Sequence, residues 1–203
     1  MIFVTIWIQW SWKWTQGRIL VDNHWFELYE SGQALREIAK KDTPLWRDIK
    51  ATIDAWDHVT PEKIEAILKD IIDSSKSENV IFDWFVRNIW NKGTFDKIIW
   101  DYKVLNFNLP KEVSIERLTT RMYDPETWET FMAGTKVNPK NWNELVKRQD
   151  DNIDAIMKRI DLFYDKTIPA LEALREEGRV IEIDALWTPE EVTKEILNKL
   201  NLD

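Results

Sequence analysis

Apolar residues fall along this chain in two rhythms. The β-branched, apolar run at 2–6 has the composition of a buried strand, and 26–29, 80–83, 103–109 and 180–184 are further strand candidates. Between them, apolar residues recur at three- and four-residue spacing. A helix is readable from Thr15 onward, and two short charged helical segments lie at 35–38 and 49–53. Pro61 opens a segment in which Ile64, Ile67, Leu68 and Ile71 share a helical face, and Pro110 separates the fourth apolar run from a charged helix at 111–121. The longest helical pattern runs from about 151 to 177, with Ile153, Ile156, Ile160, Phe163, Leu171 and Leu174 on one stripe and Gly178 as its stop. A last helix at 189–200 carries Val192, Ile196 and Leu200. Strands alternating with helices predict a mainly parallel, doubly wound α/β sheet covered on both faces. Ligands of such sheets bind beyond the C-terminal ends of the strands, which directs attention to residues 7–15.

One segment breaks the alternation. Residues 122–147 are polar, turn-rich and hold two prolines, the pattern of a lid or of a disordered loop. Arg117, Arg121, Arg148 and Arg159 flank it, and the first two, four apart on a helix, share a face.

The chain has 203 residues, the size of one domain, with a net charge of −8. That balance argues against a nucleic-acid surface, and any phosphate ligand must be held by local cations. The absence of cysteine excludes disulfides and a thiolate zinc site. No run approaches the ~18 apolar residues of a membrane span, so a cytoplasmic protein without a membrane partner is expected. His24 and His58 are isolated and lack metal-ligand spacing. Composition is abnormal in one pair of residues: glycine is 5 of 203 and tryptophan 13. Were all the tryptophans glycine, glycine would be 18 of 203, an ordinary share.

The first strand runs straight toward a helix, the place of a phosphate-binding loop, where backbone N–H groups face an anion. That loop requires glycine, four residues, glycine, lysine and a small residue. Trp7, Trp12, Lys13, Trp14 and Thr15 keep the spacing with tryptophan where glycine belongs. A snorkelling surface lysine and an aromatic platform for single-stranded nucleic acid are the competing readings. The first ignores the spacing, and the second lacks a basic groove.

Taken together, the motifs resemble those of the adenylate kinase family nearly end to end. W-I-Q-W-S-W-K-W-T at 7–15 resembles G-x-x-G-x-G-K-G-T, and Glu30-Ser31-Gly32-Gln33 with Arg36 is similar to S-T-G-D-x-x-R. Thr43-Pro44-Leu45-Trp46 and the segment at 54–61 resemble T-x-L-G and D-x-G-x-L-V, and Asp83-Trp84-Phe85-Val86-Arg87 resembles D-G-F-P-R. Arg121 with Thr127-Trp128-Glu129 is similar to R-R…S-G-R. Arg148-Gln149-Asp150-Asp151 with Arg159 resembles R-x-D-D followed by R, and Ile183-Asp184 with Glu190-Glu191-Val192 resembles the closing I-D-G…E-E-V. Departures are Val86 for proline, Glu30 and Gln33 for Ser and Asp, and Asn91 for a base-reading glutamine. The asparagine is reminiscent of the uridylate–cytidylate kinase branch, so a pyrimidine monophosphate acceptor stays open beside AMP.

The resemblance implies a P-loop, three-layer α/β/α fold with a parallel five-stranded sheet. The expected core is 1–29, 60–121 and 152–203, with a monophosphate-binding insert at 30–59 and a lid at 122–151. It implies reversible phosphoryl transfer from ATP to AMP giving two ADP, with Mg²⁺, without zinc, in a monomer. Lys13, Arg87, Arg121, Arg148 and Arg159 are the implied catalytic residues. Trp10, Ser11, Trp12, Lys13, Trp14, Thr15, Arg117 and Arg121 are the implied ATP contacts. Ser31, Gly32, Arg36, Asp57, His58, Val59, Trp84, Phe85, Val86, Arg87, Asn91, Arg148 and Arg159 are the implied AMP contacts, and Asp83 holds the metal through water.

Ten tryptophans, at 7, 10, 12, 14, 25, 46, 56, 84, 128 and 142, fall where the family has or tolerates glycine. One codon accounts for such a coordinated exchange: UGA, tryptophan in some genetic codes and glycine in others. A deliberate Gly→Trp design is the rival account. Either way, overpacking of typically ~1–3 kcal/mol per site at ten sites rivals a whole domain's ~5–15 kcal/mol. A chain with real tryptophans is therefore expected to aggregate or to fail to bind ATP, leaving a non-catalytic nucleotide-fold protein.

Overall fold

Apolar runs become strands here because both faces of the sheet are covered. In the computed structural model, which describes residues 1–8, 13–31, 43–44, 46–48, 51, 60–127, 129–131, 134–147 and 152–202, β1 is Ile2–Trp7, β2 Glu27–Glu30, β3 Val80–Asp83 and β4 Lys103–Asn108. The short strands β5 (Met122–Tyr123) and β6 (Thr130–Phe131) precede β7 (Val180–Asp184). The large sheet has the order β2-β3-β1-β4-β7 with every pair parallel. β1 lies in the middle, and Val4 and Ile6 have no exposed surface. At ~1.5–3 kcal/mol for each fully buried large aliphatic, these central strands are where burial contributes most. The expected strand positions agree with the observed ones to within a residue, the fourth ending at Asn108 rather than 109.

Helices α1 (Lys13–His24), α2 (Pro61–Ser74), α3 (Ile89–Ile98), α4 (Lys111–Thr120), α5 (Ile153–Leu162), α6 (Ile168–Glu176) and α7 (Pro189–Leu200) cover the sheet. α2 buries Ile67, Leu68 and Ile71, and α7 buries Val192, Ile196 and Leu200, as their spacing requires. α7 starts on a capping box, with the Thr188 hydroxyl accepting from the Glu191 N–H and the Glu191 carboxylate from the Thr188 N–H. α1 begins at Lys13, two residues before its expected start. The short helical segments expected at 35–38 and 49–53 lie outside the described residues, apart from Ala51.

The single long helix expected over 151–177 is corrected in two respects. It begins at Ile153, which is exposed rather than on the buried stripe, and Phe163–Thr167 form a π-turn between α5 and α6. Pro169 supplies the reason. It has no N–H, and its ring clashes with the carbonyl four residues back. The wider turn, in which the Ile168 N–H bonds to the Phe163 carbonyl, absorbs the misfit without ending the rod. Helix α3 was not legible. It contains Gly93 and buries Lys92 and Thr94 as well as Phe95, so it shows no apolar stripe. Lys92 is buried because Asp96 and Glu177 meet its Nζ at 2.7 and 2.6 Å.

The described residues of 122–147 form a small antiparallel unit. β5 pairs with β6, and bridges join Tyr123 to Val146 and Val137 to Glu144. Its centre is the fully buried Asp124 carboxylate, which accepts from Nδ2 of Asn138 at 2.6 Å, Asn141 at 2.7 Å and Asn143 at 3.2 Å, and from the Glu126 N–H at 2.9 Å. Burial alone raises such a carboxyl. Asn141, Asn138, the Glu126 amide and Asn143 outweigh that and hold it well below the usual carboxylate range. Because the folded value is depressed, this group's stabilisation is complete above the unfolded value of ~3.9 and is lost as pH falls below it. The hydrogen-exchange protection factors of the described amides in 122–147 are therefore expected to be constant from pH 5 to 8 and to fall in acid before those of the core. Asp124→Ala should produce the same loosening at neutral pH, while Tm of the core changes little.

Candidate active site

Parallel strands deliver their C-terminal ends to one edge of the sheet, and the candidate residues gather there. Thr5 in β1 is in register with Asp83, the last residue of β3, and its Oγ1 donates to Asp83 Oδ1 at 2.5 Å. Trp7 Nε1 donates to the same oxygen at 3.0 Å. Asp83 is 4% exposed. The Trp7 ring lies 4.5 Å from that of Trp84, which follows Asp83 with φ of 59°. Trp84 Nε1 is buried and has no acceptor. An orphaned buried donor costs ~1–3 kcal/mol, and the left-handed backbone of a bulky residue a further ~1–2 kcal/mol.

Beyond Trp84, Phe85 and Val86 are buried and Arg87 turns outward. The Arg87 guanidinium donates from Nε to the Trp84 carbonyl at 3.1 Å and from Nη2 to Ser31 Oγ at 2.8 Å, and stands 4.3 Å over the Trp84 ring. Ser31 directly follows β2, whose last residue Glu30 is in register with Asp83. Asn91, in the first turn of α3, donates its N–H to the Asn88 side chain, which caps the helix, and accepts from the Arg87 N–H at 3.4 Å. The structure thus brings Ser31, Asp83, Trp84, Phe85, Val86, Arg87 and Asn91 together at the ends of β2 and β3.

The other candidates are more scattered. Lys13 and Trp14 begin α1, but their side chains lie outside the described residues; Thr15 follows them, half-buried. Arg117 is turned toward the end of β7, donating to the Ala185 and Leu186 carbonyls at 3.0 and 3.3 Å. Arg121 caps the C-terminus of α4, and Arg159 on α5 donates to the Ala155 carbonyl at 3.2 Å. Trp10, Ser11, Trp12, Gly32, Arg36, Asp57, His58, Val59 and Arg148 lie outside the described residues.

Asp83 has the right chemistry for Mg²⁺, which is commonly held by one or two carboxylates with retained waters and substrate phosphates. The side chains around it do not. One oxygen is taken by a hydroxyl and an indole N–H, neither a ligand replaceable by a hydrated ion without moving a side chain. Among the described residues, the small cavity that reaches Asp83 runs between α1 and the sheet, past Gly17, Leu20, Leu28 and Leu105, and measures about 10 Å³, room for at most one water. As written, these residues do not fit hydrated Mg²⁺. Among the described residues no group of three or more His, Asp or Glu is arranged to hold a metal.

A family model described as adenylate kinase matches residues 10–179, from the phosphate-loop frame to the start of β7. The chain belongs to the adenylate kinase family. Its five-stranded parallel sheet flanked by helices is the P-loop α/β architecture of that family. The chain is 27% identical over 197 residues to adenylate kinase of Fusobacterium nucleatum, covering 93% of this chain and 92% of the relative. It is 29% identical over 212 residues to that of Chlamydia trachomatis serovar D, covering 94% and 86%. With that of a Hydrogenobaculum species it shares 27% over 212 residues, covering 98% and 100%. No helix among the described residues is long and apolar enough to cross a membrane.

Two residues that support this candidate site carry no sequence signal of their own. Gln16, buried on α1, donates to the Pro189 carbonyl at 2.7 Å and accepts from Thr193 at 2.9 Å, so the helix after the phosphate-loop frame is tied to α7. Thr167, in the π-turn, donates from Oγ1 to the Arg87 carbonyl at 2.9 Å, fixing the backbone that aims the guanidinium. Both look in sequence like ordinary polar residues of amphipathic helices. Thr167→Val is isosteric and removes this donor. It should lower stability by roughly 1 kcal/mol and raise KM for the monophosphate more than it lowers kcat, with Thr167→Ser restoring both in steady-state assays.

Proposed function

We propose that the chain catalyses reversible phosphoryl transfer from ATP to AMP, giving two ADP. The family match over 10–179 carries this reading, and the relatives named adenylate kinase favour it over a pyrimidine acceptor. The pairing of Arg87 with Ser31 at the strand ends supports it from the structure. In this reading the planar Arg87 fork binds the phosphate of the monophosphate, displacing the Trp84 carbonyl or Ser31 from one of its donors. Arg36 grips the same phosphate, while Lys13 and the amides of residues 10–15 cradle the phosphates of ATP. Arg121, Arg148 and Arg159 close on the transferring group, and Arg117 edges the ATP side.

Such transfer is positioning plus neutralisation of spreading charge. No general base is required, because the acceptor phosphate is already an anion. Residues 122–151 act as the lid whose closure excludes water, and residues 30–59 as the monophosphate-binding insert. The test is a coupled assay with ATP and AMP, CMP or UMP, on a chain carrying glycine at the ten family-glycine positions. AMP should be the preferred acceptor; preference for CMP or UMP would replace it with the pyrimidine reading. Arg87→Ala should lower kcat/KM for the monophosphate by about 10²-fold or more, and Arg87→Lys should not restore it, because an ammonium lacks the planar fork.

A further inference from the structure

Three tryptophans sit where the backbone calls for glycine. Trp25, Trp84 and Trp142 have φ of 59°, 59° and 63°, a region in which a bulky L-residue is an outlier. Among the described residues the other non-glycine there is Asn201, a type that tolerates it. Gly134 and Gly178 occupy it as glycine does, at 89° and 67°. Trp25 and Trp142 are 86% and 77% exposed, so no burial of their indoles compensates the strain. Trp25 directly follows α1, the position at which helices commonly end on a left-handed glycine. Trp90, Trp100 and Trp187 are also exposed, yet none has a positive φ. The strain thus picks out particular tryptophans, not exposed ones in general.

Trp84 adds a second anomaly, its buried Nε1 without an acceptor. Trp7 adds a third. Its indole N–H occupies Asp83 Oδ1, and its ring closes against Trp84 at the junction of β1 and β3. Glycine removes every one of these features. It takes up left-handed backbone freely, leaves no indole donor to bury, and lets a ligand approach the backbone at the strand ends.

We infer that the working enzyme carries glycine at positions 7, 25, 84 and 142, and that with tryptophan at 7 and 84 the crevice beside Asp83 does not admit a hydrated divalent cation. The claim about the crevice rests on the phosphoryl-transfer reading; the claim about positions 25 and 142 rests on the backbone alone. Peptide masses of the protein purified from the cells that make it decide the residues directly. Glycine masses at these four positions are expected, accompanied by UGA in the gene, and tryptophan masses or UGG codons there overturn the inference. Two recombinant chains test the consequence, one as written and one with glycine at 7, 10, 12, 14, 25, 84 and 142, each checked for folding by circular dichroism. Turnover of ATP with AMP by the glycine chain, and its loss in the chain as written, supports the inference. Equal turnover by both overturns the closed crevice and leaves the transfer reading standing. A folded glycine chain without turnover overturns the transfer reading, while the peptide masses still decide the glycine assignment.

Discussion

The register between β1 and β3 sets Thr5 beside Asp83, and the geometry of the site depends on that pairing. In a parallel sheet every strand ends at the same edge, so fixing β1 between β3 and β4 also fixes where residues 7, 30–31 and 83–87 meet. A slip of one residue would turn each side chain to the opposite face. It would take Thr5 from Asp83 and present polar groups to the aliphatic layer around Val4, Ile6, Ile81 and Leu105. The hydroxyl–carboxylate bond is thus a local reporter of a register enforced by burial on both faces. The proposed phosphate contact is attached to it because Arg87 lies four residues beyond the aspartate, on backbone held from behind by the π-turn of α5–α6.

A second constraint is the handling of acidic groups in a chain of net charge −8. Asp124 is surrounded by asparagine amides and backbone N–H groups, which stabilise the charge without adding a buried cation. Glu182 on β7 follows a mixed solution. Burial raises its carboxyl, and Arg175 at 2.7 Å with Asn106 and Asn108 at 2.6 Å outweighs this and lowers it. Asp96 accepts from Lys92, Arg179 and the Tyr102 hydroxyl, pinning the end of α3 to the turn before β7. These hubs stiffen the joints between elements. The Asp124 hub lies almost wholly within 122–147, so that unit retains its own order whatever its position relative to the core.

How much of this was legible follows from which residues carry each signal. Runs such as 80–82 and 104–107 announce buried strands because apolar residues stand on both faces, with Asn106 the one polar interruption. Helix α3 stayed hidden because Lys92 and Thr94 are buried through partners distant in sequence, which no periodicity reveals. The rod of α5 and α6 was legible as one element, but the π-turn is a response to Pro169 that an apolar stripe does not record. The cluster of Ser31, Asp83 and Arg87 was readable through family motifs, and the structure brings the three together. Gln16 and Thr167 were not readable, since each acts by bonding backbone in another element. Asp124 was equally silent, because its amide donors lie 14 to 19 residues away.

The fold remains readable in a chain with thirteen tryptophans because the two kinds of information occupy different positions. Fold class is written in aliphatic strands and helix stripes, and few of the tryptophans interrupt that pattern. Trp25 and Trp142 stand on turns where an indole reaches solvent, so their cost is local backbone strain of ~1–2 kcal/mol each. Trp46 is packed into the core and shows no such strain. Ligand approach, by contrast, is written at strand ends and tight turns, where the absence of a side chain is the functional property. At Trp7 and Trp84 an indole lies beside the one carboxylate the site presents at the end of β3. Tryptophan at such positions therefore leaves the architecture legible while placing an indole on Asp83, so fold and activity need not stand or fall together in this chain.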